Sequence, residues 1–200
     1  MSVIRSHGSS LFILLCSLSL GAQEAFPSSA RLYVGFTVGS QHTEVARTGQ
    51  AGLTPLDRGT LGLLTGATFG PTWGAELGFH FLGRYPAGSS TDAYGTIDWE
   101  REVHGLSFTG TARVQLGRRV ALYGQAGLMF WSAEPRSHQN GWASVTDGRD
   151  RGRSGGTPLL ATGLDFSLGQ SWDLRLEASV ADRILEARMT RCAAGFIYRF

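Results

Sequence analysis

Arg191-Cys-Ala-Ala-Gly-Phe-Ile-Tyr-Arg-Phe200 decides how the rest of this chain is read. In an extended strand, Cys192, Ala194, Phe196, Tyr198 and Phe200 share one face, and Arg191, Ala193, Gly195, Ile197 and Arg199 share the other. One face is apolar and ends in three aromatics. The other is mixed, with an arginine at each end. Chain ends of soluble domains usually fray into polar residues. A strand that instead stops on aromatics fits an apolar face turned to lipid, with its rings at the membrane edge.

The same alternation recurs upstream. It marks seven further segments, near 31–40, 60–69, 73–84, 103–116, 120–132, 158–168 and 172–181. Three connections are short: Gly70-Pro-Thr72, Gly117-Arg-Arg119 and Gly169-Gln-Ser171. Long connections are expected over about 41–59, 85–102, 133–157 and 182–190, without helices. Several structureless loops of ~15 or more residues are unusual in a soluble domain. Short turns on one side and long loops on the other are the habit of outer-membrane barrels, whose tilted strands of about 9–11 residues cross the bilayer core. The pattern predicts an all-β fold, an eight-stranded antiparallel up-and-down transmembrane β-barrel. Hydrocarbon offers no partner to an open sheet edge, so strand eight is expected to pair with strand one.

Composition agrees. The 200 residues include 28 glycines, which recur inside the strands, and the formal net charge is +2, which indicates no general nucleic-acid footprint. The N-terminus reads as an export signal: Arg5 and His7, then the apolar run Leu11–Leu20, too short to span a membrane as a helix, then Ala22 before the cut. The expected division is 1–22 signal peptide and 23–200 barrel. Cys16 as a lipoprotein site is disfavoured by Leu15 before it. With the leader gone, Cys192 is the remaining cysteine, so neither an internal disulfide nor a cysteine-built metal site is expected.

Aromatics mark the membrane edges. Trp73 and Trp172 directly follow short turns, and Tyr198 and Phe200 lie at the same end, forming a girdle; Phe130, Trp131 and Tyr85 lie at the other end. The opposite faces then line the interior. Glu76, Arg113, Asp165, Arg175, Glu177 and Arg199 all point inward within about five residues of a short turn, three acids and three bases in one half of the lumen. Matched charges there can pair, and Glu76 with Arg113 is expected to be a coupled pair. The structural reading is a polar core that fixes strand register. The sharper reading is a gate, in which exchange of ion-pair partners opens a narrow water path.

The ending Phe196-x-Tyr198-x-Phe200 resembles the terminal signature of bacterial outer-membrane barrels, which implies recognition by the barrel-assembly machinery. A wider resemblance is carried by Gly74-Ala-Glu-Leu-Gly-Phe-His-Phe-Leu-Gly-Arg-Tyr-Pro86, by Leu122-Tyr-Gly-Gln-Ala-Gly-Leu-Met-Phe-Trp-Ser-Ala133, and by Gly163-Leu-Asp-Phe-Ser-Leu168 through Leu174-Arg-Leu-Glu177. With these segments in order, the chain resembles the OmpA-type transmembrane barrel. The resemblance implies that Glu76, Arg113, Asp165 and Arg175 occupy the positions of that family's lumenal ion-pair network, with arginine at 113 and aspartate at 165 altering reach. Many members continue into a peptidoglycan-binding domain. This sequence ends at Phe200, so that role is not expected here.

Two rivals come from other classes. A lipid-modifying outer-membrane enzyme needs a nucleophile, a base and an orienting group. His80 has inward parity near Ser107 and Glu76, but the histidines are scattered and His80 reads as a hydrogen-bonded lumen filler. No phosphate loop, zinc spacing or dinucleotide fingerprint appears, so no catalytic residue, metal or cofactor is assigned. A soluble periplasmic ligand-binding barrel explains the alternation but not the aromatic ends. The expectation is a monomer in the outer membrane, in contact with its lipids, with a structural or surface-interacting role and slight pore activity at most.

Overall fold

The computed structural model describes residues 30–46, 53–92, 95–141, 152–185 and 187–200. The signal segment 1–22 lies outside them, as do parts of two expected long connections, around Gly49 and Gly148. Eight strands form: β1 (Ala30–Ala46), β2 (Leu53–Phe69), β3 (Trp73–Asp92), β4 (Gly95–Gln115), β5 (Val120–Gly141), β6 (Arg153–Ser167), β7 (Trp172–Ile184) and β8 (Ala187–Arg199). Each pairs antiparallel with its chain neighbours, and β1 pairs with β8 to close the barrel. Closure runs from Tyr33 opposite Arg199 to Glu44 opposite Arg188, so the terminal strand is hydrogen-bonded on both sides.

Side chains are arranged inside out. Leu61, Phe108, Leu128, Leu160, Leu176 and Phe196 project outward and exposed, while Glu76, Asp165, Arg175 and Arg191 are buried. This is the order expected when the surrounding solvent is hydrocarbon. At one end the three short connections at 70–72, 117–119 and 169–171 turn the chain. Gly70 takes φ +70°, where an L side chain is disfavoured.

The long connections differ from expectation. The stretch expected as a loop over 85–102 is paired strand: β3 and β4 run on, with an irregularity between Pro86 and Gly88, until Asp92 faces Gly95. β5 extends to Gly141 opposite Gly95, and β1 and β2 reach Ala46 and Leu53. The segment 182–190 is a tight hairpin, with Ile184 opposite Ala187 and Leu185 at φ 52°. Beyond the bilayer both faces of a strand meet polar surroundings. The apolar alternation therefore fades although backbone pairing continues, and that alternation was the only signal available for strand length. β8, with 13 residues, spans about 30 Å along the membrane normal at a tilt near 45°, close to the bilayer core. β5, with 22, spans about 50 Å, so β3, β4 and β5 overshoot the hydrocarbon as a three-stranded blade.

One end of the expected aromatic placement is also corrected. Phe130 faces outward, but Trp131 and Tyr85 turn into the lumen. On β5 this is plain alternation. On β3 an irregularity between Phe81 and Gly83, with Gly83 at φ 96°, shifts the parity so that both Leu82 and Tyr85 point inward. At the short-turn end, Trp73 and Trp172 are exposed, and Tyr198 packs against both Trp172 and Phe200 at 5.0 and 5.2 Å between ring centroids.

The topology sets the outcome of epitope tagging. With the short turns on the periplasmic side, as barrels of this kind place them, a tag inserted between Asp92 and Gly95, where β3 gives way to β4, should be reached by antibody on intact cells. One between Gly117 and Arg118 should be reached only after permeabilisation.

Candidate functional site

The lumen is layered. Its centre is Arg175 on β7, which is 5% exposed. Its Nη1 lies 2.6 Å from Glu76 Oε2 on β3, and its Nε donates to Asp165 Oδ1 on β6 at 2.9 Å. The guanidinium sits 4.2 Å from the ring centroid of Tyr123 on β5 and 5.9 Å from that of Tyr33 on β1. Glu76 is satisfied twice more: Tyr33 Oη donates to Oε2 at 2.9 Å, and Gln125 Nε2 donates to Oε1 at 3.1 Å. Five strands therefore meet around one ion-paired group.

A second tier lies one step further from the short turns. Tyr123 Oη donates to Glu177 Oε2 at 3.0 Å, and Arg191 Nη2 on β8 donates to Glu177 Oε1. Arg191 Nη1 donates to His80 Nδ1 at 2.7 Å. His80 therefore carries its proton on Nε2, which donates to Ser107 Oγ at 2.8 Å. A catalytic dyad would need the reverse, with a free Nε2 and a carboxylate orienting Nδ1–H. Here a guanidinium occupies the orienting position, and the pair is a link in a hydrogen-bond chain from β8 to β4.

At the mouth on the short-turn side, Arg199 contacts Asp173, and Arg113 Nη2 is 3.8 Å from Asp165 Oδ2. The six inward charges expected from the sequence thus fall into three groups. Glu76, Asp165 and Arg175 are joined directly. Glu177 is joined to Arg175 only through Tyr123. Arg113 and Arg199 stand at the rim. Glu76 contacts Arg175, not Arg113. With Asp173 and Arg191 added, four carboxylates face four guanidiniums in these layers, which are neutral as a set.

Sequence reasoning left out Arg191, Asp173, Tyr33, Tyr123 and Gln125. All five have inward parity, and that was the available signal. Rings were treated as girdle residues, although tyrosine at an inward position brings both a hydroxyl donor and a face for a cation. Room for these rings comes from glycines on adjacent strands. A Cβ on Gly66 would strike the Tyr33 phenol, and a Cβ on Gly163 would approach Tyr123 Oη to 2.7 Å.

Past His80 the lumen combines an apolar cluster with a small buried polar network, in which Gln41 Nε2 donates to Thr43 Oγ1 at 3.2 Å and to Tyr85 Oη. Leu82, Val103, Met129, Trp131, Ile184 and Met189 belong to one buried cluster there. The void between it and Arg191 is about 20 Å³, room for a single water. On the short-turn side, by contrast, a vestibule of about 640 Å³ opens beneath Arg175.

A family model described as an OmpA-like transmembrane domain matches residues 27–200. Outer membrane protein A of Salmonella typhi is 28% identical over 187 residues, covering 88% of this chain and 50% of that protein. Outer membrane protein A of Serratia marcescens is 24% identical over 205 residues, covering 95% and 55%. The chain therefore spans about half the length of these curated relatives. Among solved structures, Neisserial surface protein A aligns with a TM-score of 0.58 at 12% identity, over 84% of this chain and 97% of that one. Ail, the attachment invasion locus protein of Yersinia pestis, solved with the heparin analogue sucrose octasulfate, aligns at 0.54 and 16% identity, over 84% and 99%. At these identities the two structures speak to the fold alone.

Stability of the refolded barrel, read as gel mobility against urea, should separate direct partners from neighbours. Glu76→Gln and Arg175→Met each strand a buried partner and should cost on the order of 3–5 kcal/mol, less where vestibule water reaches it. Their double variant should cost clearly less than the sum. Glu76→Gln with Arg113→Gln should be closer to additive, because those two side chains do not pair. Gly66→Ala should cost about 1–3 kcal/mol by crowding Tyr33.

Proposed function

Because the chain belongs to the OmpA-like transmembrane domain family and resides in the outer membrane, we propose that it acts as a monomeric structural and surface-display barrel. The observation that carries this reading is the blade. β3, β4 and β5 continue about 20 Å past the bilayer core as paired backbone, which holds a fixed surface away from the lipid. In this reading the short turns are periplasmic and the blade is extracellular. The ion-paired layer at Arg175 serves to lock the register of the strands that carry it. Phe196, Tyr198 and Phe200 serve as the signal read by the assembly machinery, because β8 is the strand that closes the barrel against β1.

Pore activity in this reading is slight. Two barriers of different chemistry lie in series, the Arg175 layer and the apolar cluster around Met129 and Trp131. Exchange of ion-pair partners opens the first and leaves the packing of the second unchanged.

Replacing Ser89–Asp98 by an Asn-Gly turn joins Gly88 to Trp99, which already face one another, and shortens the blade. The shortened protein should reach the outer membrane and restore detergent resistance to a deletion strain. It should lose surface attachment or autoaggregation conferred by the full chain. Attachment equal to that of the full chain would remove the display role and leave the structural one. Planar-bilayer conductance should stay slight in wild type and in Glu76→Gln, and rise when Met129→Ala and Trp131→Ala are combined.

A further inference from the structure

We propose that the vestibule at the short-turn end binds a small oxyanion-bearing solute, a phosphate or carboxylate compound, between Arg113, Arg199 and Arg31. The cavity, about 640 Å³, lies in the range that small-molecule sites occupy, and it opens at the end assigned above to the periplasm. Its inner wall is the completed layer of Arg175, Tyr33 and Asp165. The arginines nearer the mouth are less completely matched.

Arg113 carries the argument. Its closest carboxylate oxygen is Asp165 Oδ2 at 3.8 Å, beyond hydrogen-bond distance, and Asp165 is already engaged by Arg175. Arg113 Nε is buried and has no acceptor. The same guanidinium is close enough to Arg199 for the two to repel. Arg31 lies at the rim and has no ion-pair partner among the described residues. The layers above balance without Arg31, so this exposed arginine adds positive charge at the rim beside the more enclosed Arg113, an arrangement that draws anions to the mouth.

The geometry selects the chemistry. A guanidinium offers two parallel N–H donors along an edge, which match two oxygens of a phosphate or carboxylate. An anion seated there would satisfy Arg113 Nε, screen Arg113 from Arg199, and bring Arg31 inward. A neutral sugar or an organic cation would do none of these. Arg175 is not part of the site, because its donors are already committed to Glu76 and Asp165.

Calorimetric titration of the refolded barrel in dodecyl maltoside, in a chloride buffer held at constant ionic strength, tests this with three probes: inorganic phosphate, citrate and dihexanoyl phosphatidylglycerol. Saturable binding of phosphate or citrate is expected. Arg113→Gln should weaken it about tenfold or more, as loss of charged hydrogen bonds does. Arg31→Gln, at the exposed rim, should weaken it several-fold and keeps the test open if Arg113→Gln fails to fold. Arg119→Gln, on the exposed short turn, should leave it unchanged. No saturable heat from either free anion, equal binding by wild type and both vestibule variants, or binding of phosphatidylglycerol alone would each overturn the proposal. The display role stands or falls separately, since the probes do not involve the blade.

Discussion

Every backbone amide and carbonyl within hydrocarbon must find a partner inside the protein. An open sheet leaves two edges unpaired, and each orphaned group there costs several kcal/mol. The register between β1 and β8 is therefore the constraint on which the rest depends. It explains why the terminal strand is as regular as a central one and why Phe36 can pack on Phe196 across the seam, at 5.9 Å between centroids. It also explains the inversion of surface and core. Once the ring is closed, strand alternation sends one set of side chains into lipid and the other into a lumen too narrow for bulk water.

That narrowness sets the terms for charge. Ionised groups in the lumen have little solvent, so they persist only where each is matched and hydrogen-bonded. Around Arg175 matching is dense: two carboxylates, two tyrosine rings, and a glutamine that occupies the remaining oxygen of Glu76. Because the partners come from β1, β3, β5, β6 and β7, a slip of one strand by one residue would turn its member outward and strand the others. Burial of a pair alone is weak evidence of net stability, and replacement by apolar groups is often neutral or better. What such a cluster adds is a penalty on wrong registers, and a closed sheet of alternating strands has many of those.

Much of this was legible in the sequence, for reasons that also mark its limits. Alternation with period two survives wherever one face meets lipid, so the eight strands, the three short turns and the inward charges at 76, 113, 165, 175, 177 and 199 could be read directly. Outside the membrane that asymmetry disappears, and with it the signal. The hairpins between β3 and β4 and between β7 and β8 therefore looked like loops. Parity also fails at an irregularity. Tyr85 reads as outward from Trp73 and Ala75, and only the break at Gly83 turns it in. Partner choice is a third limit. Parity and depth place Glu76 and Arg113 in one zone, but which carboxylate meets which guanidinium depends on strand order around the ring and side-chain reach.

The two halves of the lumen solve the same packing problem differently, and the difference bears on what can move. In the charged half, Arg175 is held by two carboxylates, so a fluctuation that releases Glu76 leaves it paired with Asp165 and still under Tyr123. Such an exchange replaces one good contact by another. In the apolar half, Trp131 lies against Gly155, where an added Cβ would stand 2.9 Å from the indole, and Met129 lies against Gly105 at 2.8 Å from its sulfur. Side chains seated that closely on adjacent backbone cannot shift without opening a void. The polar groups beside them, Gln41, Thr43 and the Tyr85 hydroxyl, already bond one another, so water entering a void there would have to compete for them. The charged layer is thus the adaptable element and the apolar plug the rigid one.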